Sequence, residues 1–549
     1  MEMLNDQTKN IPNADLSVVN VYKPKNPTWK ENLSFYFSEY CGATSIHGVQ
    51  YLGERRRLLI EKIVWAVIIT TVWCICIYLI TQTYNKWVTS PVIVTFATTE
   101  TPISDIPFPT VTISPEANAD ITVFNYTDVL IKKVLGSDVT DEEKQYFDAL
   151  SLACQGFDLM DDYGIGKTGN VTIELEDLLK ILNVVVPVTF VNASYGMWQD
   201  QQGSELLTKT ISSTGFSFAF NSLSHLEILN VPDDVETHSK AAPKKNWSLD
   251  EGYSKKAGRD VFPRRAFVSG MNGGFSFVGA TLDGDSKYSC NAPLTGYKVT
   301  LHHPSEFPDW DKQIRLPLNQ AVLVAIKPRM ITISDKLKSY KPEARKCYLG
   351  DERKLRFFKS YTQQNCLHEC RLNTTLNVCN CLPFYMLGFG GIPICGPGSI
   401  SCVNKATEQY TLTEGNQKCN CLPSCTSLEY DVEISQTDCD LNLMMSLIAM
   451  LEQKNISLDI NIRSAHLSLL IVYYKEMQFL TSQRNELYGY VDFFSNTGGL
   501  LGLFIGFSVT SFIEILYFLT LRLRCNISIF GKRFWSGSSE LIDNYNSAK

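Results

Sequence analysis

With 549 residues, 50 basic and 57 acidic side chains and a net charge of −7, the chain has length for several domains and too little positive charge to suit a nucleic acid. No tract is rich enough in Ser, Gly, Gln or Pro to count as low complexity, and no fixed-period repeat is present. The opening, MEMLNDQTKNIPNADL, lacks a basic stretch followed by an apolar core, so no cleaved signal peptide is expected.

The first predicted element of note is the uncharged run 63–81, whose 19 residues are just enough to cross a bilayer. Arg55, Arg56, Arg57 and Lys62 precede it, while Arg522, Arg524, Lys532 and Arg533 follow a second apolar run near the C-terminus. The positive-inside rule then puts both ends in the cytoplasm. The expected order is a cytoplasmic segment 1–62, a span 63–81, an extracellular domain 82–487, a second span 488–521 and a cytoplasmic tail 522–549. Thirteen of the 17 cysteines fall in the extracellular stretch, ten of them between Cys347 and Cys425. Such density suits disulfides in an oxidising compartment. Six glycosylation sequons lie there too, at Asn125, Asn170, Asn192, Asn246, Asn373 and Asn455. Those at Asn32 and Asn526 fall on the cytoplasmic side and should stay bare.

Within 82–487 the pattern is mixed α and β. Residues 141–153 and 174–183 read as short helices, and 216–220, 275–281, 296–301 and 322–327 read as strands between turn signals. The stretch 356–373 reads as a helix that puts Cys366 and Cys370 on one face. Residues 441–454 read as a further helix and 467–483 as a strand-like run. Residues 232–265 look like an exposed excursion. The C-x-C pairs Cys379/Cys381 and Cys419/Cys421 do not fit zinc spacing, so disulfides are favoured over a metal centre. Enzymatic signals fail: His368-Glu369 starts an HExxH look-alike, but position 372 is Leu. His302 and His303 have no third ligand and read as a solvated loop pair. No enzyme is expected.

The last apolar run, 493–521, is 29 residues long with one ionisable side chain, Glu514. As one helix it would measure roughly 43 Å against a hydrocarbon core of roughly 30 Å, so it must tilt, break or extend beyond the bilayer. Gly498, Gly499, Gly502 and Gly506 crowd its first half. Irregular backbone at membrane depth is tolerable only inside protein or beside water, and an intramembrane acid by default marks an ion path. The run reads as a pore lining; the plain alternative is an anchor with a small-residue packing face.

Five ordered stretches resemble the degenerin/epithelial sodium channel superfamily, closest in texture to its arthropod pickpocket branch. They are TSIHGVQYL, IPFPTVTIS, KCYLGDERKLRFFKSYTQQNCLHEC followed by CNCLPFYM, KCNCLPSC, and SNTGGLLGLFIGFSVTSFIEILYF. The resemblance implies an α+β membrane protein. Two transmembrane helices would flank a disulfide-rich extracellular domain with a β-sheet palm and a helical thumb spanning 347–425. It implies a plasma-membrane, sodium-preferring cation channel, assembled as a homo- or heterotrimer with related subunits and blocked by amiloride-type compounds. Membrane lipid and sodium ions would be its other partners, and no cofactor is expected beyond permeant sodium.

By the same resemblance, Gly506, Phe507 and Ser508 form the selectivity belt where the pore helix breaks, with the Phe507 ring packed outward. Ser495 and Asn496 fall at the outer gate and Gly502 at the blocker site. Glu514 would line the exit or anchor a cytoplasmic loop, and His47 and Gly48 would sit in a re-entrant loop beneath the pore. The family's nesting pairs Cys347 with Cys425, Cys366 with Cys421, Cys370 with Cys419, Cys379 with Cys402 and Cys381 with Cys395. Cys154, Cys290 and Cys439 remain; Cys154–Cys290 is one available bridge. One family bridge is missing from both sides, since Ser114 and Ser217 stand where its cysteines would be. The carboxylate-rich pocket of acid-sensing members is not evident either. Two other two-span classes stay as alternatives: a scavenger-type surface receptor, and an ATP-gated purinergic-type channel. The first has no use for glycines and a glutamate in its second span; the second needs clustered lysines, yet Lys244, Lys245, Lys255 and Lys256 sit in one loop.

Overall fold

The computed structural model describes residues 26–549 apart from 90–91, 117–122, 154–168, 175–177, 179–188, 197–203, 232–246, 255, 260, 283–293, 309, 387–388, 390, 413–418, 440–449, 451–464 and 548–549. The chain divides into two units, one of residues 92–486 and one that joins 1–91 to 487–549.

The larger unit is built on two sheets. One runs Val92–Phe96, Ser482–Glu486, Gln320–Ile333, Ala465–Tyr474, Phe275–Leu282, Thr189–Tyr195, with Ser427–Asp438 also paired to Gln320–Ile333. The central strand Gln320–Ile333 lies parallel to Ala465–Tyr474 and Ser482–Glu486 and antiparallel to Ser427–Asp438. Its continuous apolar stretch, Ala321 to Ile326, suits a strand covered on both faces. The other sheet is antiparallel, in the order Gln313–Leu316, Tyr297–His302, Thr110–Pro115, Gly215–Phe220, Leu207–Ser212. Rings from both sheets share one core: Phe220 stacks on Phe275 at 4.3 Å, and Phe108 meets Phe220 and Tyr474 edge-on. The hydroxyls of Tyr430 and Tyr474 both donate to the Pro107 carbonyl. Those bonds let two phenols lie in an apolar core without an unsatisfied donor.

Where the lost family bridge would lie, four hydroxyls form a chain. Ser114 and Ser217 are fully buried. Thr214 Oγ1 donates to Ser114 Oγ at 2.9 Å, and Ser212 Oγ contacts Thr214 Oγ1 at 2.9 Å and Ser217 Oγ at 2.8 Å. Hydrogen bonds thus link the Thr110–Pro115 strand to the turn and strand around Ser217.

Among the described residues five disulfides are closed: Cys347–Cys425, Cys366–Cys421, Cys370–Cys419, Cys379–Cys402 and Cys381–Cys395. They are the pairs implied by the resemblance. Cys439 is a free thiol, and the Cys154–Cys290 pair lies outside the described residues. The bridged helix is Gln363–Cys379, which packs on Ile400–Leu412.

Several expectations need correction. The bridged helix starts at Gln363, not near 356, because Thr362 caps it by accepting from the Asn365 amide, while Phe357 and Phe358 are taken into the core as an irregular strap. The run 467–483 is not one strand: Ala465–Tyr474 ends before Lys475, and Gln478–Phe479 and Ser482–Glu486 pair elsewhere. The excursion 232–265 is not wholly exposed, since Trp247 and Val261 are buried. His302 and His303 are not solvated either, at 6% and 3% exposed. The strand Tyr297–His302 carries His302 inside, where its Nε2 meets Thr112 Oγ1 at 2.9 Å, and the His303 ring lies 5.0 Å from Trp247. A neutral imidazole offers one donor and one acceptor, so burial with partners is affordable. Helix Asp141–Ala153 is present. The helices expected at 174–183 and 441–454 fall largely outside the described residues, as do Asn246 and Asn455.

The smaller unit holds α1 (Trp29–Ala43), α2 (Val49–Gly53) and α3 (Leu59–Thr89). Helix α3 exceeds the 19-residue apolar run at both ends, because nothing at either end of that run breaks a helix. The second apolar run is not one helix but two, Tyr490–Ile505 and Val509–Tyr517, with a bend of 66° at the break.

Candidate functional site

The break is written in three residues. Gly506 ends the first half-helix in the left-handed conformation, φ 70°, which glycine adopts without strain. Its amide bonds Gly502 O at 3.0 Å, the left-handed type of helix stop, and the Phe507 amide reaches Leu501 O at 3.2 Å. Two residues on, Ser508 starts the second half-helix: its Oγ accepts from the Ser511 amide at 3.2 Å, and Ser511 Oγ accepts from the Ser508 amide at 3.0 Å. G-x-S is therefore a helix stop followed by a helix start, a signal available in the sequence but not read from it. The termini thus formed leave backbone polar groups free of intrahelical partners.

The turn between α1 and α2 packs against the break. The His47 amide donates to Ile505 O at 2.8 Å, capping the last carbonyl of the first half-helix. Gly48, at φ 81°, lets the chain reverse there and lies against Ile69 and Trp65 of α3. A Cβ on Gly506 would come within 2.6 Å of the His47 ring. Ser45 carries the contact further, its amide and hydroxyl both donating to Glu514 at 3.1 and 3.2 Å. Ser45 Oγ also lies 2.6 Å from the buried Ser511 Oγ, which in turn contacts Ser508 Oγ and Gly506 O. A line of hydroxyls thus joins Glu514 to the break. Glu514 is thus engaged with its own chain's loop at Ser45. Beside this line, Ile46, Cys76 and Ile505 are buried together, and the half-buried Phe507 packs with them. Ser45 and Ser511 were not singled out from sequence; their spacing from His47 and Ser508 was the available signal.

Ser495, Asn496, Gly498, Gly499 and Gly502 are exposed along the first half-helix. Ser495 and Asn496 line a cleft of about 850 Å³ with Gln82, Asn85, Lys86, Tyr488 and Gly499. Among the described residues a Cβ added at Gly498, Gly499 or Gly502 meets nothing within 4 Å, so packing against those residues does not require these glycines. Among the described residues no group of three or more His, Cys, Asp or Glu could hold a metal. In the larger unit Asn170 and Asn192 are exposed, Asn373 is half-buried, and the Asn125 side chain caps the helix Tyr126–Leu135.

Over residues 40–518 the chain matches the sequence profile of the family described as "Amiloride-sensitive sodium channel". It is 26% identical over 498 residues to "Pickpocket protein 28" of Drosophila melanogaster, covering 88% of this chain and 78% of that protein. To "Sodium channel protein Nach" of Drosophila ananassae it is 24% identical over 498 residues, covering 89% of this chain and 87% of that one. The human "Bile acid-sensitive ion channel" is 26% identical over 170 residues, or 30% of this chain and 33% of that one. A match of this length sets aside the scavenger-type and ATP-gated alternatives, and the family is one of ion channels, not enzymes. The chain belongs to the amiloride-sensitive sodium channel family, and pickpocket and Nach proteins of Drosophila are among the relatives it resembles.

Proposed function

We propose that this chain is one subunit of a trimeric, sodium-preferring channel of the plasma membrane, open to amiloride-type blockers, with cytoplasmic termini and residues 92–486 outside the cell. The observation that carries the reading is the break at Gly506-Phe507-Ser508, where a membrane-length apolar segment interrupts its helical backbone at mid-length and leaves Ser508 exposed. Such backbone needs water, protein or an ion beside it. Three copies around an axis would offer carbonyls and Ser508 hydroxyls to a partly dehydrated cation. The glycine face, unpartnered among the described residues, supports an outward role toward water or neighbouring subunits. Phe507, packed with Ile46 and Ile505, leaves the belt to Gly506 and Ser508. Glu514 anchors the His47 turn, which props the break from inside the cell. The free glycine face of Gly502 is the blocker site, and sodium is cargo, not a resident cofactor.

Expression in oocytes, alone and with related subunits, tests the reading. The expected result is a surface protein that carries an amiloride-sensitive sodium current. Surface-localised protein that passes no cation under force, osmotic, peptide or small-molecule stimuli, in any subunit combination, would refute it.

A further inference from the structure

Beyond Glu514 the second half-helix does not continue as α. Val509–Tyr517 gives way to a π-helical turn, Phe518–Arg522, before α geometry resumes over Leu523–Phe530. A π turn holds one residue more than the α-helix it interrupts, and it persists where side chains serve the displaced backbone. Two hydroxyls do so. Thr520 Oγ1 donates to Leu516 O at 2.6 Å, from within the turn. The Tyr36 hydroxyl, from α1, donates to Phe518 O at 2.5 Å.

Tyr36 does not act alone. The Phe518 side chain is buried, with the Tyr36 and Tyr40 rings edge-on at 5.9 and 5.4 Å. Glu39 pairs with Arg522 at 2.6 Å. Positions 36, 39 and 40 share one helical face, so a single turn of α1 grips both ends of the π turn. The same helix is fixed to the segment that follows the His47 turn: Ser38 Oγ donates to Gly53 O at 2.7 Å, and Cys41 packs hard against Gly53. Helix α1 therefore ties the turn beneath the helix break to the π turn beyond it.

We propose that α1 is a latch, with Tyr36 and Glu39 as positioning residues that hold the second half-helix in its π register, and that its release changes channel opening. The part concerning opening rests on the channel reading above. Reversion to continuous α geometry would drop one residue from the turn. That rotates residues 523–530 by about 100° and shifts them by about 1.5 Å relative to the Gly506–Ser508 break. Losing the hydroxyl donor or the ion pair removes a contact that favours the π register.

The test uses full-length channels. Tyr36→Phe keeps the ring and removes the donor; Glu39→Arg breaks the ion pair, and Glu39→Arg with Arg522→Glu restores it in reverse. Each single variant should change open probability by about tenfold, at unchanged surface number and unchanged sodium-to-potassium ratio, and the reciprocal swap should return it to within about twofold of wild type. Single variants within about twofold of wild type, or a swap whose defects simply add, overturn the latch. Amide hydrogen exchange over 518–523 in the purified protein reads the same contact without any current. Tyr36→Phe should speed it by about tenfold, and unchanged exchange overturns the latch even in a conducting channel. Faster exchange in a protein that passes no current keeps the latch and removes the channel reading.

Discussion

Gly506 shows how tightly one residue is determined here. Its φ of 70° disfavours any side chain by about 1–2 kcal/mol, and a Cβ would also collide with the His47 ring. Gly506→Ala is therefore expected to displace the His47 turn and abolish or strongly reduce sodium current at normal surface level; full current in oocyte recordings would contradict this. Ser508 is constrained differently, because its hydroxyl both caps a helix and faces the break. Ser508→Ala should alter the sodium-to-potassium permeability ratio, and an unchanged ratio in a conducting channel would remove it from the belt. Ser495→Val, on the exposed face of the first half-helix, should raise constitutive sodium current. At this scale the family motifs pointed to Gly506, Ser508 and His47. They could not show that Glu514 accepts hydrogen bonds from Ser45, since a contact across 469 positions leaves no local pattern.

Among the elements, the hydroxyl chain from Ser114 to Ser217 shows what takes the place of a covalent tie. Thr214 is its middle link. Thr214→Val keeps the shape but leaves Ser114 short of a donor, at a cost of about 1–3 kcal/mol. A thermal unfolding midpoint no lower than wild type would show the chain to be ornamental. The sequence carried the strands well where apolar residues alternate or run together, as at 216–220 and 275–281. It overran the helix at 356–373 because RFFKSY has helix-compatible composition. Burial of Phe357 and Phe358 and the cap at Thr362 decided otherwise.

For the whole molecule, burial sets two opposed pH responses in residues 92–486. It pushes the Glu306 carboxyl up to about 7 and the His225 imidazole down to about 4. From its usual 4.5, Glu306 binds its proton more tightly when folded, so its contribution is complete at low pH and is lost as pH rises toward 7. His225 must stay neutral when folded, so its contribution grows as pH rises from about 4 to 6.5. The two oppose each other between 4.5 and 6.5. His225→Phe should uncover a melting temperature that falls across that window, and Glu306→Gln one that rises. Two variants that both keep the wild-type profile would dismiss the assignment. The sequons give a second check: Asn32 and Asn526 are buried, and Asn32 bonds Arg533 O and Ser536 Oγ, so glycosidase treatment should reveal no sugar on either.

Two apolar runs of membrane length, a cysteine-dense block between them and the motifs that mark the family are legible along the chain alone. All of these depend on composition, spacing or short local patterns, which survive in one dimension. Which hydroxyls hold the sheets and which partner Glu514 meets emerged only in three dimensions. Those outcomes depend on groups hundreds of residues apart meeting in space, and no local propensity encodes such a meeting.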